Sequence, residues 1–214
     1  MAFTTIILCI IPESISAQAN SKFYVYLCLG QSNMEGYAMI NTANINFVDE
    51  RFCVLNTADS SERNFGQWYT AYPPIVRPGA GVGILDYFGP SMIERLPDDV
   101  RVGVVPVAFG AGAPIGCFDK DTAPLSNNTT VNTYFGGNAY TRLIEMSLVA
   151  MKDGIVKGIL FHQGEANRGE EDWPEKVKKI YNDILSDLKL EPSMVPLIAG
   201  ELVNEDMGGG MFCS

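Results

Sequence analysis

Apolar positions along the chain fall into short continuous runs that alternate with helical stripes. Residues 22–29 (KFYVYLCL) are aromatic and β-branched, and Gly30 closes the run, the pattern of a strand buried on both faces that ends in a tight turn. Residues 102–109 (VGVVPVAF) and 156–161 (VKGILF) repeat it, and a shorter run at 195–199 predicts a fourth strand. Between them lie stripes of helical period. Leu143, Ile144, Leu148 and Met151 share one face of a predicted helix over 140–152 that Gly154 stops. Val177, Ile180, Tyr181, Ile184, Leu185 and Leu188 do the same over 174–188. A shorter helix is predicted over 90–96, with Pro90 at its first position after Gly89. Strand, helix and strand alternate, so a parallel sheet covered on both faces is the expected architecture.

The remaining stretches are polar or rich in Asn, Gly and Pro. Residues 40–80, with Trp68, Tyr69 and Tyr72 in their middle, read as one long loop region. Residues 110–117 form a Gly/Pro loop, and 126–133 carry overlapping glycosylation-type triplets at Asn127 and Asn128. The first nineteen residues stand apart. Ile6 to Ile11 is an apolar run too short to span a bilayer, and Ser16-Ala17-Gln18-Ala19 ends in a small-x-small pattern, so residues 1–19 are expected to be a signal peptide of a secreted or periplasmic protein. No basic residue precedes the run, and a short buried strand is the alternative.

At 214 residues, 47% hydrophobic and 19% charged, the chain suits one domain, residues 20–214. Its net charge of -10 opposes a nucleic-acid or anionic-membrane partner and favours a neutral substrate. Beyond Cys9, the cysteines at 28, 53, 117 and 213 are irregularly spaced and contain no Cys-x-x-Cys metal pair; disulfides are open, and Cys28 reads as a small buried residue.

In an open parallel sheet, reactive groups gather beyond the carboxyl ends of the strands. Three polar turns fall there: Gln31-Ser32-Asn33, residues 110–113, and Gln163-Gly164-Glu165. A serine at a strand-to-helix turn can act as a nucleophile where backbone N–H groups stabilise the oxyanion it generates, or it can simply cap the helix.

The strings around these turns add a resemblance. Gly30-Gln31-Ser32-Asn33-Met34-Glu35-Gly36 resembles the first motif block of the SGNH (GDSL-like) hydrolases, in the branch of sialate O-acetylesterases and the acetyl xylan esterases of carbohydrate esterase family six. Phe161-His162-Gln163-Gly164-Glu165-Ala166-Asn167 resembles that branch's third block, and Tyr87-Phe88-Gly89-Pro90 more weakly its second. The resemblance runs from about Lys22 to Ser214. It implies an α/β fold, a three-layer α/β/α sandwich of flavodoxin-like type, and a secreted serine esterase. It implies hydrolysis through an acyl-enzyme on Ser32, with neither metal nor cofactor. The oxyanion hole would comprise the N–H of Ser32, the N–H of Gly89 and the side-chain amide of Gln163, and Glu165 would orient the catalytic histidine. A structural pairing of Glu165 with Arg168 is the alternative.

The family's Asp-x-x-His block, source of the general base, is missing, and the lone histidine, His162, occupies a position that is not the base in the family. Residues 208–214 are loop-like, which suggests a chain lacking its C-terminal segment. The expected partner is an acetylated polysaccharide such as xylan, with Trp68, Tyr69 and Tyr72 available to stack on sugar rings. O-acetylated sialic acid and a non-catalytic carbohydrate-binding paralogue are the alternatives; an anionic sugar would want a basic clamp, and no obvious cluster of Arg or Lys is present.

Overall fold

The computed structural model describes residues 19–41, 48–59, 62–110 and 112–202. The apolar run of the expected signal peptide, Cys9, Cys213 and the segment 208–214 lie outside those residues. The elements run β1 (Phe23–Gly30), α1 (Ser32–Glu35), β2 (Phe52–Leu55), β3 (Trp68–Thr70), α2 (Leu85–Ile93), β4 (Arg101–Ala108), α3 (Thr129–Tyr134), α4 (Ala139–Ala150), β5 (Ile155–His162), α5 (Trp173–Leu188) and β6 (Leu197–Ala199). Short 3-10 turns occupy Ile115–Phe118, Ala123–Leu125 and Glu165–Asn167.

The six strands form one sheet in the order β3-β2-β4-β1-β5-β6, parallel except for β3 at the edge. After β1 the chain moves to one side for β2 and β3, returns to place β4 beside β1, and crosses to β5 on the other side. The carboxyl end of β1 therefore sits where the winding reverses, the place at which open α/β sheets hold their ligands.

β1, β4 and β5 are almost fully buried, as their unbroken apolar runs require. Helices flank the sheet in a three-layer arrangement. On one face Phe88 of α2 meets Tyr26 of β1 edge-on at 4.9 Å. α4 lies against β4 and β1, with α5 beside it. Val177, Ile180, Ile184, Leu185 and Leu188 of α5 are buried, each contributing about 2 kcal/mol of gross apolar burial. Pro174 opens α5, and Lys189 in the left-handed conformation ends it.

Two sequence expectations need correction. The stretch 40–80 contains β2 and β3, strands of four and three residues that a turn-rich context conceals. The helix expected from Pro90 begins at Leu85, so Pro90 lies inside it. Proline has no N–H to give the carbonyl of Asp86, a loss that a nine-residue helix packed on the sheet tolerates. The three described cysteines, Cys28, Cys53 and Cys117, are free and buried, and burial pushes the thiols of Cys28 and Cys117 up.

The polar side of α5 is tied down by charge. Lys179 pairs with Asp119, Asp121 and Asp183, Lys176 with Glu170 and Asp172, and Asp187 with Lys120 while accepting from the hydroxyl of Tyr140. Lys120 and then Tyr140 hold the Asp187 carboxyl low, and Lys176 and then Asn167 do so for Glu170. At Asp119 burial acts upward, but the amides of Asp121 and Thr122 and the ammonium of Lys179 outweigh it. Carboxylates lowered on folding stabilise above their unfolded value of about 4 and lose that contribution as pH falls through their folded values. Lys120, Lys176 and Lys179 are raised, so their contribution is present below about 10 and fades as pH rises through their folded values. The thermal midpoint is therefore expected to be flat between about pH 5 and 9 and to fall on both sides, with 1 M salt shrinking the difference because most of these pairs are exposed. Calorimetry across pH at two ionic strengths checks this; a midpoint that rises below pH 4 contradicts it.

Candidate active site

Three turns meet beyond the carboxyl ends of β1, β4 and β5. The first begins where Gly30 lies against β5, so close that a side-chain carbon there would stand 2.1 Å from the carbonyl oxygen of His162. The amide of Gln31 donates to that oxygen at 2.9 Å, and the chain turns directly into α1. The amides of Met34 and Glu35 return to the carbonyl of Gln31, and the amide of Gly36 to that of Ser32, each at 2.9 Å. Ser32 thus opens α1 and is half-buried. Among the described residues neither its amide nor that of Asn33 donates to a backbone carbonyl.

Hydrogen bonds join the three turns pairwise. Between the first and the third, Oε1 of Gln31 accepts from the amides of Gly164 and Ala166 at 3.3 Å, and Nδ2 of Asn33 donates to Oε1 of Glu165 at 2.6 Å. Between the third and the second, Asn167 Oδ1 accepts from the amide of Ile115 at 2.9 Å and from Nε2 of Gln163, which also donates to the carbonyl of Ala113 at 3.2 Å. Between the first and the second, Oε2 of Glu35 accepts from the amide of Gly110 at 2.7 Å. Beneath them Phe109, Phe118 and Phe161 form a fully buried aromatic floor.

Of the residues singled out in the sequence, Ser32, Gln163 and Glu165 come together here and Gly89 does not. Gly89 is the fifth residue of α2, buried with its α-carbon against Phe52, whose ring atoms would lie 2.3 Å from any side-chain carbon. Its amide belongs to the helical ladder, and its smallness serves the contact between helix and sheet. The glycine that borders Ser32 is Gly110, where a side-chain carbon would stand 3.5 Å from Cβ of the serine. Gln163 also differs from expectation. It is 1% exposed, both its N–H groups are taken by Ala113 and Asn167, and its Oε1 accepts from the indole of Trp173 at 2.7 Å. With no N–H left to offer, it is a strut between turns rather than an oxyanion donor.

Glu165 keeps one oxygen in reserve: Oε1 holds Asn33, while Oε2 is buried with no partner among the described residues. His162 turns toward β6. Gly200 lies against its ring, 2.3 Å from Cδ2 to where a side-chain carbon would be, and its Nδ1 is buried without a partner among the described residues.

Trp68 meets Phe23 edge-on at 4.8 Å with its indole N–H on Asp153, and the hydroxyl of Tyr69 accepts from the amide of Asn64, so these two aromatics hold structure down. Tyr72 stays 46% exposed beside Arg63, in the wall of a cavity of about 490 Å³ that Asn56, Glu62 and Arg77 also line. Among the described residues no group of three His, Cys, Asp or Glu side chains could hold a metal ion, and no helix is long and apolar enough to cross a membrane.

The chain is similar in fold to a protein of Arabidopsis thaliana solved by X-ray crystallography, with 22% identity and a TM-score of 0.63 over 82% of this chain and 72% of that one. It is also similar in fold to NanS, with 16% identity and a TM-score of 0.61 over 86% of this chain and 69% of the other. The family described as carbohydrate esterase, sialic acid-specific acetylesterase, matches residues 22–211, which include all three turns. The chain belongs to that family of SGNH hydrolases, and it is a carboxylic ester hydrolase that acts on O-acetylated carbohydrate.

Proposed function

We propose that this protein is a secreted esterase that removes O-acetyl groups from a plant cell-wall polysaccharide such as xylan, with Ser32 as its nucleophile. Ser32 Oγ attacks the acetyl carbonyl, the amides of Ser32 and Asn33 receive the developing oxyanion, the sugar hydroxyl leaves, and water hydrolyses the acetyl-enzyme. The observation that carries this reading is the buried, unpartnered Oε2 of Glu165, one side chain away from the nucleophile's turn through Asn33. A carboxylate oxygen held there is placed to accept the N–H of an imidazole, which keeps that ring's other nitrogen free to take the serine proton. The ring of His162 lies against Gly200, at the end of β6. The exposed ring of Tyr72 supports the polymer as substrate, since a sugar ring can lie on it while an acetyl group needs only a small pocket.

O-acetylated sialic acid is a second reading, favoured by the description of the matching family and by Arg63 and Arg77 in the wall of the cavity beside Tyr72. Acetate release from acetylated xylan and from O-acetylated sialic acid separates the two, measured for this chain and for the same reading frame extended past Ser214. Preference for xylan in either form supports the first reading. Preference for the sialic acid replaces it with the second, and activity confined to the extended form places the base beyond residue 214.

A further inference from the structure

Glu35 and Arg77 take no part in the acyl transfer just described, yet they form the most buried ion pair among the described residues, with side chains 2% and 17% exposed. Nε and Nη2 of Arg77 both reach Oε1 of Glu35. The guanidinium also donates to the carbonyl of Pro78 at 2.8 Å and lies 5.0 Å from the ring centre of Tyr134. The other carboxylate oxygen, Oε2, accepts from the amide of Gly110. Gly110 is the second residue past β4 and borders Ser32 so closely that a side-chain carbon would stand 3.5 Å from Cβ of the serine and 2.9 Å from Oε2 of Glu35.

A buried ion pair adds little net stability compared with well-packed apolar side chains of the same volume. What an apolar pair could not do is fix the direction of an N–H group. We propose that Glu35 is a positioning residue of the esterase site: its carboxylate, neutralised by Arg77, holds the Gly110 amide and sets the loop after β4 at the right distance from Ser32. This inference rests on Ser32 being the nucleophile. The substrate carbonyl has to lie in the crevice that this loop borders, and reacting atoms tolerate little displacement from the attack distance.

The test compares Glu35→Gln with Glu35→Leu, alongside Ser32→Ala, on acetate release from a soluble acetylated sugar, in whichever form, this chain or the extended one, releases acetate. Thermal midpoints and amide exchange at Gly110 are measured on the same proteins. Both Glu35 variants leave Arg77 without its carboxylate, but only glutamine keeps an oxygen for the Gly110 amide. We expect Glu35→Leu to lower kcat about 100-fold with KM within about threefold, and Glu35→Gln to lower kcat less than about tenfold. The Gly110 amide should exchange at least about tenfold faster in the leucine variant than in the glutamine variant. Equal losses of kcat in the two, or losses that track the thermal midpoint alone, overturn the inference and leave Ser32 as nucleophile. Should Glu35→Leu fail to fold, Glu35→Gln decides: Gly110 protected with kcat within about tenfold supports the inference, and protection with a loss beyond about 100-fold overturns it. Activity that survives Ser32→Ala, or the absence of acetate release from both this chain and the extended one, removes the nucleophile reading and this inference with it.

Discussion

Replacing Ser32 with alanine is expected to lower acetate release by about 10⁴-fold or more while leaving the thermal midpoint within a few degrees of wild type. The loss is large because the covalent step has no other nucleophile in the turn, and only the oxyanion donors and substrate binding survive to give a residual rate. The midpoint holds because the hydroxyl contributes nothing visible to the turn. The amide of Gly36 uses the backbone carbonyl of Ser32, and the carbonyl of Gln31 receives the amides of Met34 and Glu35. Alanine is also a good helix former at the start of α1. Initial rates on an acetylated sugar, with circular dichroism melts on the same samples, check both halves. A rate within tenfold of wild type removes Ser32 from the mechanism, and a collapsed midpoint would mean that the serine has a structural role the hydrogen bonds do not reveal.

The long strands and the two amphipathic helices were legible in the sequence because burial on both faces, or on one helical stripe, writes itself as composition. Strand β2 was not, since four residues inside a turn-rich stretch cannot display a period. The three turns of the site were legible for a topological reason: each follows a strand that ends at the same edge of a parallel sheet. Which atoms they present was harder to read. Gln163 is polar and adjacent to Glu165, but whether its amide faces the crevice depends on Trp173 and Asn167, whose approach is fixed by tertiary packing. Gly89 was a glycine near a helix start and gave no sign that Phe52 would fill the space above it. Glu35 was visible in the motif as a charge three residues past Ser32. Only the fold shows that Gly110 and Arg77, 75 and 42 residues away, meet it from two sides.

The pairwise stitching of the turns has a physical consequence for Ser32. Glu35, Asn33, Gln31, Gln163 and Asn167 link three loops that each depart from a rigid strand, so the position of Ser32 is fixed by the sheet rather than by its own four-residue helix. An isolated helix of that length has no stability of its own. Displacing any one strand end should therefore reach the serine.

Gly30→Ala applies that displacement where it is least avoidable. The added carbon would stand 2.1 Å from the carbonyl oxygen of His162, 2.8 Å from its carbonyl carbon and 3.0 Å from its nitrogen, all backbone atoms that no rotamer change can move. β1 and β5 would have to separate at their shared end, with loss of the bond from the Gln31 amide to that same oxygen. Overpacking, a strained φ of 156° and one lost buried hydrogen bond together come to about 4 kcal/mol. That is a large fraction of the 5 to 15 kcal/mol, roughly, that holds such a domain folded, and it corresponds to a fall of about 8 to 16 °C in the thermal midpoint. Gly112→Ala is the control, since its φ of 67° is unfavourable for alanine but, among the described residues and apart from its chain neighbours, no atom lies within 4 Å of the new carbon. It should cost about 1 kcal/mol. Urea midpoints and thermal melts of the two variants give the comparison, and acetate release measured below both midpoints tells whether the surviving Gly30→Ala fold still presents Ser32. A Gly30→Ala protein as stable as Gly112→Ala would mean that the β1 and β5 ends can part freely, and that the sheet does not fix the nucleophile.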